Sequence, residues 1–227
     1  MIWNPNKECM SRDEMSALQG KRLHKIVKYV YHNVPFYRNK LQELDIRPDD
    51  IQTIEDIKKL PFTTKKDLRD NYPFGLQAAP QSEIIRVHAS SGTTGNPTIV
   101  GYTRKDIGVW SECMARCLTA YGITRDDIFS VSYGYGLFTG GLGAHYGVEH
   151  LGASVVPAST GNTEKHLKII RDLGVTGIPA HRRMPSTWPR PWTAWASPRS
   201  KSSCAWVPSE QSRGRRACAA RLRNAWD

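Results

Sequence analysis

His88-Ala89-Ser90-Ser91-Gly92-Thr93-Thr94-Gly95-Asn96-Pro97-Thr98 is the stretch on which the fold of this 227-residue chain turns. Four hydroxyl side chains (Ser90, Ser91, Thr93, Thr94) sit with glycines at 92 and 95, which permit positive φ and close approach of a ligand to the backbone. Consecutive backbone N–H groups in such a loop form an anion-binding concavity, so the segment reads as a phosphate grip. Apolar Ile84-Ile85-Arg86-Val87 precedes it and Ile99-Val100-Gly101-Tyr102 follows, which predicts a β-hairpin with the loop at its turn. No Gly-Lys-Ser/Thr closes the loop, which separates it from the P-loop. An ordinary polar turn is the competing reading. The order of the residues, with Gly95-Asn96-Pro97-Thr98 attached, argues against it.

Upstream of the hairpin the pattern is helical. Leu18, Leu23, Ile26, Val27, Val30 and Tyr31 recur at three- and four-residue spacing, which predicts an amphipathic helix ending near Val34-Pro35. Further helical segments are expected over 37–44 and 51–59, and Thr63 or Thr64 reads as the N-cap of a helix over 65–71. Downstream, 105–121 reads as a helix with Ile107, Val109, Trp110, Met114, Cys117 and Leu118 inward. A strand over 127–132, a glycine-rich helix over 140–151, a strand over 153–157, a helix over 163–173 and a strand opening at Val175-Thr176 follow. Alternating strand and helix predicts a parallel α/β layer, here incomplete. The expected organisation is a helical subregion over 1–80, a partial nucleotide-binding α/β domain over 81–177, and a tail over 178–227.

The tail differs in kind. Residues 178–227 hold five of the seven tryptophans, six of the fourteen prolines and only three aliphatic residues of the Ile, Leu, Val or Phe type, Ile178, Val207 and Leu222. They carry +8 of the formal net charge of +11. Such a segment cannot bury enough aliphatic surface to offset its ordering entropy, so disorder is expected. The net charge and Arg213-Gly214-Arg215-Arg216 beside tryptophans superficially suggest a nucleic-acid binder. The charge is an artefact of the tail, and no nucleic-acid partner is expected. No window approaches 18 consecutive apolar residues, so no membrane span is expected. Met1-Ile2-Trp3-Asn4-Pro5 lacks a charged start and an apolar signal core, which points to the cytoplasm. The five cysteines show no paired zinc spacing, and Cys113 and Cys117 read as helix-packing residues.

Ser90 to Gly95 with Asn96-Pro97-Thr98 resembles the phosphate-binding motif of the adenylate-forming acyl-CoA synthetase superfamily. Leu60-Pro61-Phe62-Thr63-Thr64-Lys65-Lys66-Asp67-Leu68-Arg69 and Tyr72-Pro73-Phe74-Gly75 narrow the resemblance. Tyr133-Gly134-Tyr135-Gly136-Leu137-Phe138-Thr139-Gly140-Gly141-Leu142-Gly143 and Gly152-Ala153-Ser154-Val155-Val156-Pro157 narrow it again. Together these are similar to phenylacetate–CoA ligases, a family of bacterial aryl-acid ligases, almost continuously from about residue 3 to Gly177. The resemblance implies ATP, Mg²⁺ and coenzyme A as co-substrates and a small-molecule aryl acid as substrate. It implies phosphate contacts from Ser90, Ser91, Gly92, Thr93, Thr94 and Gly95, with Lys65 within reach of phosphate. A solvated lysine at a helix start is the alternative for Lys65. Tyr133 and Phe138 would line the aryl pocket, with Tyr135 a competing candidate and Gly140 among the glycines admitting a flat ring. A packing turn whose rings are core is the rival reading. His88, His145 and His150, with no carboxylate partner that the sequence identifies, read as structural. The intact family also uses an acidic ribose-binding residue, an adenine-binding segment, a hinge and a mobile domain that brings the adenylation lysine. None of these is matched here, so catalytic residues stay unassigned, as does any metal ligand. Relatives often pair as dimers.

Codon degeneracy accounts for the tail. Reading the third base of each codon with the first two of the next, Met184 through Pro198 permits A-L-Y-L-A-E-T-V-D-R-M-G-I-S. Trp206 through Gly214 permits a string containing G-A-F-G-A-E-P-W. Both resemble what phenylacetate–CoA ligases carry next. The expectation is a frameshift near Gly177, an out-of-frame tail, and an inactive amino-terminal fragment of a ligase. A non-catalytic nucleotide-binding or regulatory fragment is the alternative.

Overall fold

The computed structural model describes residues 1–90, 96–161 and 163–179, and the backbone of 204–206. The described chain falls into two units, Ile2–Trp110 with Gly136–Thr139, and Ser111–Tyr135 with the residues from Gly140 on.

The first unit opens with α1 (Pro5–Glu8) and the long α2 (Arg12–Asn33). Ser11 caps α2 in a reciprocal box: its Oγ accepts from the Glu14 N–H at 3.2 Å, and the Glu14 carboxylate accepts from the Ser11 N–H at 2.9 Å. The Ser11 N–H and then the Ser11 hydroxyl, both donating to the Glu14 carboxylate, hold it below its ordinary pKa. Helix α2 stops at Val34, whose extended backbone is what a following proline demands. Pro35 then occupies the first position of α3 (Pro35–Glu43). Arg38 donates to the carbonyls of Tyr31 at 2.8 Å and His32 at 2.6 Å, satisfying two orphan acceptors at the end of α2. Val27, Leu41 and Ile51 form the core of this layer, with Leu23, Tyr31, Ile46 and Leu60 against it. The expected helix over 51–59 is instead a 3₁₀ segment, Ile54–Lys59. Helix α4 (Lys65–Asp70) follows, capped by Thr64 with Asp67.

The hairpin is present: β1 (Ile84–Ala89) pairs antiparallel with β2 (Ile99–Thr103), in register from Arg86↔Tyr102 to Ala89↔Ile99. It leads into α5 (Arg104–Ala120).

The second unit is a parallel sheet of order β4-β3-β5-β6, made of β3 (Ile128–Ser130), β4 (Ser154–Val156), β5 (Gly177–Pro179) and β6 (Cys204–Trp206). Crossovers α6 (Gly140–Leu151) and α7 (Thr163–Asp172) separate the first three strands, as the alternating pattern predicts. Phe129, Val131 and Val148 are buried at its centre. Five residues of the stretch expected to be disordered thus lie in strands, Ile178 and Pro179 in β5 and Cys204–Trp206 in β6, paired from Gly177↔Cys204 through Pro179↔Trp206. The rest of 180–227 lies outside the described residues.

The inward face expected of α5 needs correction. Its buried residues are Ser111, Ala115, Leu118 and Thr119, a stripe at four-, three- and one-residue steps. Cys113 and Cys117 stand on the far side of that stripe and are exposed, and Val109 is exposed too. Leu118 is inward as expected, Ile107, Trp110 and Met114 are half-buried, and Val109 and Cys117 are not inward. At α6, a Cβ on Gly147 would stand 2.4 Å from the Met114 Cβ. Gly147→Val therefore overpacks a close helix approach and is expected to destabilise the chain by about 1–3 kcal/mol. A fall in the urea midpoint at unchanged slope is the readout.

Candidate functional site

The loop at the hairpin turn is closed from both ends by one residue. Ser90 donates its N–H to the Thr98 carbonyl at 3.0 Å, and its Oγ accepts from the Thr98 N–H at 2.9 Å. The hydroxyl oxygen is thereby engaged while its hydrogen remains able to donate to an anion. Ser91, Gly92, Thr93, Thr94 and Gly95 lie outside the described residues.

Immediately before the loop, His88 is buried against two rings. It meets Tyr102 edge-on at 5.5 Å and Trp110 at 5.6 Å, and those two stack on one another at 5.3 Å. Its Nδ1 lies 2.8 Å from the Leu137 carbonyl, an acceptor only, so Nδ1 carries the hydrogen. The Ala89 N–H donates to the same carbonyl at 3.0 Å. His88 Nε2 is buried without a partner among the described residues, an arrangement that costs on the order of 1–3 kcal/mol. Phe138, next in the chain, is 68% exposed, so its ring is not core in this structure.

Tyr133 and Tyr135 lie in the other unit, after β3. Gly134 turns the chain there so closely that a Cβ on Gly141 would sit 2.7 Å from its carbonyl oxygen. That contact fixes small residues where α6 begins, one position beyond Gly140. Burial raises the Tyr133 hydroxyl pKa. Burial, with the Glu149 carboxylate adding to it, pushes Tyr135 up to about 12.

The reading of His145 as lacking a carboxylate partner is corrected. Its Nε2 is 3.1 Å from Glu149 Oε1, one helical turn on, and its Nδ1 is 3.1 Å from the Tyr135 hydroxyl. With Glu149 ionised and the ring neutral, Nε2–H donates to the carboxylate and the Tyr135 O–H donates to Nδ1. His150 likewise finds Glu112, its Nε2 3.2 Å from Oε2. The spacing of His145 and Glu149 on one helix was visible in the sequence. The pairing of His150 with Glu112, 38 residues apart, was not.

Lys65 and Lys66 open α4 and are exposed. Lys66 pairs with Asp70, which raises its ammonium pKa, whereas Lys65 has no ion-pair partner among the described residues. Among the described residues no group of three or more His, Cys, Asp or Glu is placed to hold a metal ion, and no helix is long and apolar enough to cross a membrane.

No protein-family model matches the chain. It is 54% identical over 165 residues to the phenylacetate-coenzyme A ligase of Escherichia coli, covering 73% of this chain and 38% of that protein. The phenylacetate-coenzyme A ligase of Thermus thermophilus is 51% identical over 172 residues, covering 76% and 39%. The chain thus spans about two fifths of the length of the relatives it matches, as expected of an amino-terminal portion. Among solved structures, a 2-hydroxyisobutyryl-CoA ligase in complex with 2-HIB-AMP and CoA superposes with a TM-score of 0.74 at 30% identity, over 79% of this chain and 40% of that one. The fold is that of adenylate-forming CoA ligases, and it is incomplete. The family resemblance read from the motifs is borne out.

A raised tyrosine pKa ties stability to alkaline pH. The neutral hydroxyl of Tyr135 is favoured in the folded state, so its contribution is fully present below the ordinary value of 10.0 and is lost as pH rises toward about 12. Tyr135→Phe is expected to flatten the fall of the urea midpoint between those values. An unchanged pH profile would remove the shift.

Proposed function

We propose that this chain is the amino-terminal portion of a phenylacetate–CoA ligase, activating phenylacetate or a related aryl acid in aromatic-acid catabolism. The observation that carries the reading is identity of 51–54% over 165–172 residues to ligases of that name, a length close to the stretch upstream of Gly177. In the first half-reaction the acid's carboxylate oxygen attacks the α-phosphorus of ATP, the bond to the bridging oxygen breaks, and pyrophosphate leaves. In the second the thiol sulfur of coenzyme A attacks the acyl carbon, AMP leaves, and the thiol proton passes to solvent or base. Bringing one anion to another makes positioning and charge neutralisation the main tasks.

The loop Ser90, Ser91, Gly92, Thr93, Thr94, Gly95 would hold phosphate oxygens through hydroxyls and amides. The Ser90 closure supports this, since it fixes the loop's stem and leaves a hydroxyl hydrogen to donate. Lys65, exposed and unpaired among the described residues, would supply positive charge. Tyr133, Tyr135 and Phe138 would form the aryl surface, with Gly140 giving room. Mg²⁺ would arrive on the triphosphate with most of its water. The whole enzyme is read as cytoplasmic and, in its intact form, a homodimer. A non-catalytic regulatory role is not favoured, because the matched relatives are ligases.

The segment from residue 178 is read as out of frame, on its composition and on the permitted alternate-frame strings. Its strand β6 does not oppose this. An edge of a parallel sheet offers unpaired backbone groups that any extended segment can satisfy, whatever its side chains. Sequencing the coding DNA across codons 170 to 185 decides the matter: an uninterrupted frame encoding this tail in independent isolates would overturn it.

Two activity outcomes follow. The chain as it stands, with phenylacetate, ATP, Mg²⁺ and coenzyme A, should form no AMP above background, because phosphate contacts alone cannot stabilise the transition state. The frame-restored gene should yield an enzyme that releases pyrophosphate with phenylacetate and ATP. In that enzyme Ser91→Ala with Thr93→Ala should lower turnover by roughly 10²-fold, the scale of losing a preorganised oxyanion donor. Full turnover in the double variant would take the loop out of the mechanism.

A further inference from the structure

The Leu137 carbonyl accepts two hydrogen bonds from consecutive residues of β1, the His88 Nδ1–H at 2.8 Å and the Ala89 N–H at 3.0 Å. Ala89 ends β1 and Ser90 begins the phosphate loop. Phe138 follows Leu137 directly. One peptide group therefore lies between the strand that carries the loop and the segment that carries an aryl-pocket ring. The link is local and belongs to a single unit, Ile2–Trp110 with Gly136–Thr139.

We propose that His88 is a positioning residue that clamps segment 136–139 to the base of the phosphate loop, holding the segment that carries Phe138 in register with it. The proposal rests on the functional reading above, but its physical content does not need turnover. Four observations support a clamp over simple core filling. The ring is 3% exposed, and its orientation is set by edge-to-face contact with Tyr102 and Trp110, which stack on one another beside it. The tautomer is set by an acceptor that is not another side chain but a backbone carbonyl 49 residues away. The far nitrogen is left buried and unpartnered among the described residues, a cost that a phenylalanine of similar size would avoid. Lastly, Leu137 and Phe138 are 66% and 68% exposed, so burial of their own side chains does not hold this segment down. Hydrogen bonds to its backbone do.

The experiment uses the full 227-residue chain. Amide hydrogen exchange is compared in the wild type, His88→Leu and His88→Asn, whose side-chain amide can donate near the Nδ1 position. The expected result is at least a tenfold loss of protection at Ala89 and Ser90, whose amides donate to Leu137 and Thr98, in His88→Leu, with protection in α2 unchanged, and substantial recovery in His88→Asn. Unchanged exchange at those amides in His88→Leu overturns the clamp. So does a uniform loss through Ile2–Trp110 that Asn does not repair, which is the behaviour of a core residue. Should both variants fail to fold, nitrogen correlation spectra of the wild-type histidine ring decide: hydrogen on Nδ1 alone supports the clamp, and hydrogen on Nε2 overturns it. Absence of pyrophosphate release by the frame-restored enzyme would instead count against the ligase reading and leave the exchange result standing.

Discussion

Strand β3 is the constraint on which the parallel unit depends. Phe129 and Ser130 are buried, Val131 continues the burial, and both edges of the strand are taken, by β4 in register from Ile128↔Ser154 to Ser130↔Val156 and by β5 at Phe129↔Gly177. The Phe129 ring dictates its neighbour, because a Cβ at Gly177 would fall 2.6 Å from that ring. A small polar lock closes the start of the strand: the Thr176 hydroxyl donates to Asp127 Oδ1 at 2.7 Å and accepts from the Ile128 N–H at 3.1 Å. Parallel partners on both sides require crossovers, and α6 and α7 supply them. The chain passes from β3 to β4 on one side and then returns across to β5 on the other, so the strand order reverses around β3. Ligands of open α/β sheets sit beyond the carboxyl ends of strands at such reversals. Tyr133 and Tyr135 follow the carboxyl end of β3, which gives their candidacy a topological basis beside the motif.

Much of this was legible because it is written in local patterns. Val34-Pro35 ends one helix, a threonine at 63 or 64 marks the start of another, and the apolar runs around Ser90 announce a hairpin. Alternation of strand and helix after Lys105 gave the parallel layer. Where the reading went astray, the cause is also local. On α5, hydrophobicity placed Val109 and Cys117 inward, but the buried stripe runs through Ser111, Ala115, Leu118 and Thr119, which puts both on the opposite side. Over 54–59 the sequence has helical spacing, and the structure has the tighter 3₁₀ form there.

The site was legible in its residue types and not in its tethers. Hydroxyls and glycines at a hairpin turn point to a candidate anion site from the sequence alone. Histidines do not, since their meaning depends on what faces each ring nitrogen. Glu149 could have been found from its i,i+4 spacing to His145, and with it the engagement of the Tyr135 hydroxyl. His88 could not. Its partner is a main-chain carbonyl that carries no sequence signature, brought near by the return of the chain after β3.

The strand β6 shows how little a sheet edge asks of its partner. Strands buried in parallel sheets read as near-continuous apolar runs. Ile128-Phe129-Ser130 and Ser154-Val155-Val156 approach that description, whereas Cys204-Ala205-Trp206 stands between Ser202-Ser203 and Val207-Pro208, with a proline two residues beyond its end. Pairing at Gly177↔Cys204 through Pro179↔Trp206 uses backbone groups, and those are common to every extended segment. Hydrogen bonding of an edge therefore carries no information about whether the added residues were selected to lie there. Composition is the observation on which the proposed out-of-frame reading of 178–227 rests, with its +8 charge and three aliphatic residues.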